Sequence, residues 1–123
     1  MPPQTILLVE DEPTLQKTLS LALENEGYTV QKALDGETGI KTARETKPDL
    51  ILLDLVLPKM DGFEALAELK KDEVIKEIPV IVLINLENPQ DIEKATSLGA
   101  ADYLVKALYD LKEVIAKIKE ILK

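Results

Sequence analysis

The sequence predicts an α/β domain built on a parallel sheet with helices on both faces. Short apolar runs alternate with longer amphipathic stretches five times over. One of those runs, residues 50–53, is continuously apolar, as strands covered on both faces are. A length of 123 residues suits one domain, placed over residues 1–123, and no internal repeat, low-complexity tract or linker divides it.

The first strand is Ile6-Leu7-Leu8-Val9. A helix follows from near Pro13, because proline's fixed φ and missing N–H suit a first turn. It sets Leu15, Leu19, Ala22 and Leu23 on one face, and Gly27 closes it. Residues 28–32 alternate apolar and polar, the pattern of an edge strand. The second helix follows Asp35-Gly36, carries Ile40 and Ala43, and stops before Lys47-Pro48. After the third strand, a helix over residues 63–71 turns Leu66 and Leu69 inward. Residues 79–84 form the fourth strand, 89–98 the fourth helix, ended by Gly99, and 102–105 the fifth strand. The last helix has the clearest period, through Leu111, Val114, Ile115, Ile118, Ile121 and Leu122. Right-handed crossovers between such units give a parallel sheet.

Composition excludes whole classes of chemistry. With neither Cys nor His, the chain has no disulfide, no thiolate or imidazole metal site, no Ser-His pair and no Cys nucleophile. A formal charge of −8 argues against direct nucleic-acid binding, because phosphates repel it. The longest apolar runs, such as residues 80–84, fall far short of the ~20 residues of a membrane span. Met1-Pro2-Pro3-Gln4 lacks the regions of a signal peptide. The expectation is a soluble cytoplasmic domain with no membrane or nucleic-acid partner, and, as the chain ends on its last helix, no output domain.

In open α/β sheets the functional crevice lies beyond the carboxyl ends of the strands. Strand one is followed there by Glu10-Asp11, strand three by Asp54 and strand five by Lys106. Two unit charges ~4 Å apart repel by about 4 kcal/mol at an effective dielectric of about 20. Three gathered carboxylates therefore need cations. Lys106 supplies one, and an oxygen-only donor set points to Mg²⁺ (or Mn²⁺) for the rest. Any one of these residues passes as an ordinary polar group at a strand end; the set at one end of the sheet does not.

Val9-Glu10-Asp11-Glu12, Leu53-Asp54-Leu55-Val56-Leu57-Pro58-Lys59-Met60-Asp61-Gly62 and Gly99-Ala100-Ala101-Asp102-Tyr103-Leu104-Val105-Lys106 resemble the motifs of response regulator receiver domains. The likeness, of the chemotaxis-regulator type, covers essentially the whole chain, in order. It implies a flavodoxin-like (βα)5 doubly wound parallel sheet of strand order 2-1-3-4-5. It also implies that a histidine kinase or phosphotransfer protein passes a phosphoryl group to Asp54. By the same resemblance Asp11 and Asp54 would bind Mg²⁺ directly, Glu10 through water, and the backbone carbonyl of Val56 would complete the protein ligands. Lys106 would pair with a phosphoryl oxygen. Phosphoryl transfer asks little more than an in-line nucleophile and cations on the equatorial oxygens, and carboxylates serve as such nucleophiles. A chain without histidine must take its imidazole donor from another molecule. Self-phosphorylation and self-dephosphorylation at Asp54 are the only enzymatic acts implied. A downstream partner would meet the fourth helix, fifth strand and fifth helix of a monomer or weak dimer. Asp61-Gly62 is expected to shape a turn through glycine's backbone freedom, with Asp61 and Lys59 as solvated charges.

The sequence departs from the family at three places, Ile84, Ala107 and Val56. Ile84 stands where Ser or Thr usually donates to the phosphoryl group, a bond of about 1.5–3 kcal/mol. Typical allosteric couplings are about 1–3 kcal/mol, so its loss predicts a weakened switch. Tyr103 holds the aromatic position of that switch, and bulky Ile84 would obstruct its inward turn. Lys106 is followed by Ala107 instead of proline; cis bonds before other residues cost about 2.5–4 kcal/mol, so a trans bond and a shifted loop are expected. Val56 is apolar where many relatives are polar, which predicts slow self-dephosphorylation.

Ile84 and Ala107 favour a second reading, a phosphorylation-independent interaction module, degenerate or engineered. The complete set Glu10, Asp11, Asp54 and Lys106 stands against it. A flavodoxin-type electron carrier would need a hydroxyl- and glycine-rich phosphate loop after strand one, the electrostatic opposite of Glu10-Asp11-Glu12-Pro13. An aspartate-nucleophile phosphatase would need a second acid, where Val56 stands, and a cap insertion.

Overall fold

The computed structural model describes residues 3–57, 60–84, 89–106 and 110–122. Among these residues ten elements alternate: β1 (Thr5–Val9), α1 (Pro13–Asn25), β2 (Thr29–Ala33), α2 (Gly36–Thr46), β3 (Leu50–Asp54), α3 (Gly62–Lys71), β4 (Val80–Ile84), α4 (Gln90–Ser97), β5 (Asp102–Val105) and α5 (Leu111–Leu122). The strands form one parallel sheet in the order β2-β1-β3-β4-β5, as the sequence and its resemblance predict. Among the described residues, no helix is long and apolar enough to cross a membrane.

Burial follows position in the sheet. Every residue of β3 and β4 is buried, while the edge strands β2 and β5 are only partly covered. Successive side chains point to opposite faces. Leu7, Val9, Ile51, Leu53, Val82 and Ile84 pack with residues of α2, α3 and α4. In the opposite phase, Leu8, Leu52, Leu83 and Leu104 pack against Leu19 and Leu23 of α1 and Val114 and Ile118 of α5.

Helix ends follow local chemistry. Asp35 caps α2 by accepting from the Thr38 N–H at 2.8 Å, and Asp61 caps α3 through the Phe63 N–H at 2.7 Å. The first helix closes as predicted at Gly27, whose φ of 94° is left-handed. The Tyr28 N–H turns back to the Leu23 carbonyl at 3.2 Å, so β2 begins one residue later than the alternation predicts. Gly62 corrects an expectation. Its φ is not in the left-handed region. A Cβ there would stand 2.2 Å from the Leu55 Cα, so glycine serves close backbone approach instead of unusual angles.

Candidate functional site

Parallel pairing brings the carboxyl ends of β1, β3 and β5 to one edge. Asp54 is the last residue of β3 and lies opposite Leu83 of β4. Glu10 extends the β1–β2 ladder, its N–H donating to the Ala33 carbonyl at 3.0 Å. Lys106 does the same beyond β5, donating to the Ile84 carbonyl at 2.8 Å. Strand alternation thus puts Glu10, Asp54 and Lys106 in phase with Leu8, Leu52 and Leu104, on the α1 and α5 side.

The side chains meet. Lys106 Nζ lies 2.7 Å from Asp54 Oδ2 and 3.6 Å from Glu10 Oε1. Asp54 Oδ1 accepts from the Val56 N–H at 2.9 Å, and Glu10 Oε2 from the Glu12 N–H at 3.1 Å. Glu10 and Asp54 are fully buried, whereas Asp11 is exposed. One carboxylate oxygen from each of Glu10, Asp11 and Asp54 lies within 4.8 Å of the others. Among the described residues, buried Glu10 Oε1 has no hydrogen-bond partner, since 3.6 Å from an ammonium is too long for one.

Burial pushes the Glu10 carboxyl up, and its contact with Asp54 and the Asp54 charge push the same way. They prevail over the Glu12 N–H and Lys106 and place its pKa at about 8. Burial pulls Lys106 down, but its bond to Asp54 and the charges of Asp54, Glu10 and Asp11 together hold it above the usual lysine value. A buried acceptor without a donor, inside a set of hard oxygen donors, is what a divalent cation such as Mg²⁺ satisfies. The residues present fit that group.

Around this cluster, Ile84 is buried among the residues facing α2, α3 and α4, and half-buried Tyr103 packs against the same group. Lys117 of α5 donates to the Tyr103 carbonyl at 2.7 Å and to Asp102 at 3.1 Å, with its Nζ 5.1 Å from the centre of the Tyr103 ring. The Val56 side chain is exposed beside the site. Asp61 caps α3 and stands outside the acidic cluster. The Lys106–Ala107 bond and Lys59 lie outside the described residues. Gln16 carries no motif signal, yet its amide reaches two backbone carbonyls behind Glu10. Its helical spacing to buried Leu19, Ser20 and Leu23 is the signal that finds it.

Residues 6–119 match the family described as the response regulator receiver domain. The chain is 42% identical over 118 residues to the DNA-binding dual master transcriptional regulator RpaA of Synechocystis, covering 96% of this chain and 48% of that protein. It is 41% identical over 101 residues to Protein PilH of Pseudomonas aeruginosa, covering 82% and 84%. The chain spans about half the length of the transcriptional regulators RpaA and PhoP that it matches. Among solved structures, the receiver domain of sensor histidine kinase PA1611 of P. aeruginosa, with a magnesium ion coordinated in its active site cleft, is 32% identical. It superposes with a TM-score of 0.89 over 98% of both chains. The Vibrio cholerae chemotaxis protein CheY4 is 25% identical with a TM-score of 0.90, over 98% of this chain and 99% of that one. By family match, fold and acidic cluster alike, the chain belongs to the response regulator receiver domains of two-component systems.

Proposed function

We propose that this domain, in the cytoplasm, takes a phosphoryl group from a histidine kinase or phosphotransfer protein onto Asp54. The single observation that supports this best is the buried Asp54 carboxylate, 2.7 Å from Lys106 and gathered with Glu10 and Asp11 within 4.8 Å. In the transfer the P–N bond of a donor phosphoimidazole breaks, its electron pair leaves with the imidazole, and a P–O bond forms to Asp54. The Val56 N–H on Oδ1 fixes the rotation of the carboxylate. Lys106 follows the charge, exchanging a carboxylate oxygen for a phosphoryl oxygen. Bound Mg²⁺ supplies countercharge for the phosphoryl oxygens. Asp11 and Asp54 would hold it directly, Glu10 through water, with the Val56 carbonyl as the remaining protein ligand.

The consequence for a partner would pass through the surface of α4, β5 and α5 of a monomer or weak dimer. Ile84 offers no hydroxyl to draw toward the phosphoryl group, so the conformational response would be weak. Exposed Val56 offers an attacking water no hydrogen bond, and a long-lived aspartyl phosphate is expected; a lifetime of seconds would count against this.

Burial of Ile84 among apolar neighbours favours a second reading, a module that binds its partner without phosphorylation. Acetyl phosphate separates the two. With Mg²⁺ the intact mass should rise by one phosphoryl group, and neither Asp54→Ala nor the metal-free protein should gain it. No gain in the wild type would overturn phosphoacceptance and leave the second reading standing.

A further inference from the structure

The turn from β1 into α1 presents both Glu10 and Asp11, yet the residues that open α1 do little to anchor it. Glu12, at the start of the helix, provides no side-chain cap, and Pro13 has no N–H to donate. The Glu12 N–H bonds the Glu10 carboxylate at 3.1 Å, the very group a bound cation would draw on. The Glu12 carbonyl takes the first helical bond, from the Gln16 N–H at 2.9 Å. Among the described residues, two ties that use no acid hold the Glu10 end of the turn. One is the Glu10 N–H on the Ala33 carbonyl at 3.0 Å. The other is Gln16, whose amide nitrogen donates to the Glu10 carbonyl and the Ala33 carbonyl, each at 3.1 Å. Gln16 is 9% exposed, and its nitrogen spends both of its N–H groups on the ends of two neighbouring strands.

We infer that Gln16 is the positioning residue of the acidic turn, holding the Glu10 backbone in place while the Glu10 carboxylate exchanges partners. It touches neither cation nor phosphoryl group and acts through the residue that does. The inference rests on the reading of the cluster as a Mg²⁺ and phosphoacceptor site. Removing the amide leaves the Glu10 carbonyl without this donor and loosens the turn that carries two of the three acids. Outer-shell partners of metal ligands typically contribute 10–100-fold in affinity. Gln16 acts through backbone, so a loss of about tenfold is expected.

The test compares Gln16→Met, similar in size and without a donor, with Ile75→Val, a core change where the chain approaches the amino end of β4. Mg²⁺ itself is the probe, titrated calorimetrically and then in acetyl phosphate reactions followed by intact mass. Gln16→Met should weaken Mg²⁺ binding about tenfold and raise the half-saturating Mg²⁺ for phosphorylation equally. The rate at saturating Mg²⁺ should stay near wild type, because Asp54 and Lys106 are untouched. Ile75→Val should lower stability and move neither Mg²⁺ value. Gln16→Asn, whose amide falls one methylene short, should show the same pattern and serves if Met at this position does not fold. Unchanged Mg²⁺ affinity in both Gln16 variants, with the wild type binding normally, would overturn the role of Gln16 alone. A wild type that binds no Mg²⁺ would overturn the underlying reading and the inference with it.

Discussion

Lys106→Met removes the ammonium that the acidic cluster is built around. Asp54 and Glu10 have no exposed surface, and Lys106 Nζ stands 2.7 Å from one and 3.6 Å from the other. Deleting one partner of a buried pair costs about 3–5 kcal/mol, because the other charge is stranded. Here the Lys106 side chain is 22% exposed and Asp11 is open to solvent, so water reaches the cluster. The low end, about 3 kcal/mol, is expected in metal-free buffer. Mg²⁺ should recover part of that loss. A divalent ion ~5 Å from the wild-type ammonium is repelled by about 1.7 kcal/mol even at water's dielectric of about 80. Without that repulsion the variant should bind Mg²⁺ about tenfold more tightly or better. Urea unfolding followed by circular dichroism, with EDTA and with excess Mg²⁺, reads both effects without the screening that guanidinium would add. A deficit that is absent in EDTA, or the same with and without Mg²⁺, would refute Lys106 as the counterion of the cluster.

Gly62→Ala should lose about 3 kcal/mol or more, since its Cβ would meet Leu55 backbone at 2.2 Å; Gly27→Ala, with nothing within 4 Å, should cost only the left-handed backbone penalty of about 1–2 kcal/mol. Denaturant midpoints of the two variants check that order. Glu10 ionises near 4.5 in the unfolded chain and at about 8 in the fold. Between those values the folded state binds more protons, so stability in EDTA should fall as pH rises from 4.5 to about 8. Glu10→Gln should flatten that slope in melting curves, and Mg²⁺ binding to the wild type should tighten over the same range. Ile84→Thr restores a hydroxyl able to give about 1.5–3 kcal/mol to a charged acceptor. Beryllofluoride should then shift amide resonances around α4 and Tyr103 more than in the parent; a full shift already present with Ile84 would defeat the account of a weak switch.

The acid and lysine positions were legible because parallel strands share one carboxyl edge, so the residue after each apolar run identified the site. Asp54 proved to be part of its strand, paired opposite Leu83, which explains its complete burial. Other features depend on tertiary contacts that no local pattern encodes. Gln16 is polar within an apolar stripe, and only the nearness of the β1 and β2 ends reveals its partners. Lys117 looks like one more charge on α5 until β5 is laid against it. Gly62 reads as a turn residue; its close approach to Leu55 depends on how α3 enters the fold.

The two-sided rhythm of the strands has a further consequence. Asp54 and Lys106 share their orientation with Leu52 and Leu104, toward α1 and α5, while Ile84 and Tyr103 look toward the other three helices. The sheet therefore divides the two sets of side chains, and they are joined where the Lys106 N–H meets the Ile84 carbonyl and where Lys117 of α5 reaches Tyr103. A change of side chain at Ile84 thus falls among the apolar neighbours of α2, α3 and α4, across the sheet from the packing that holds Asp54 and Lys106.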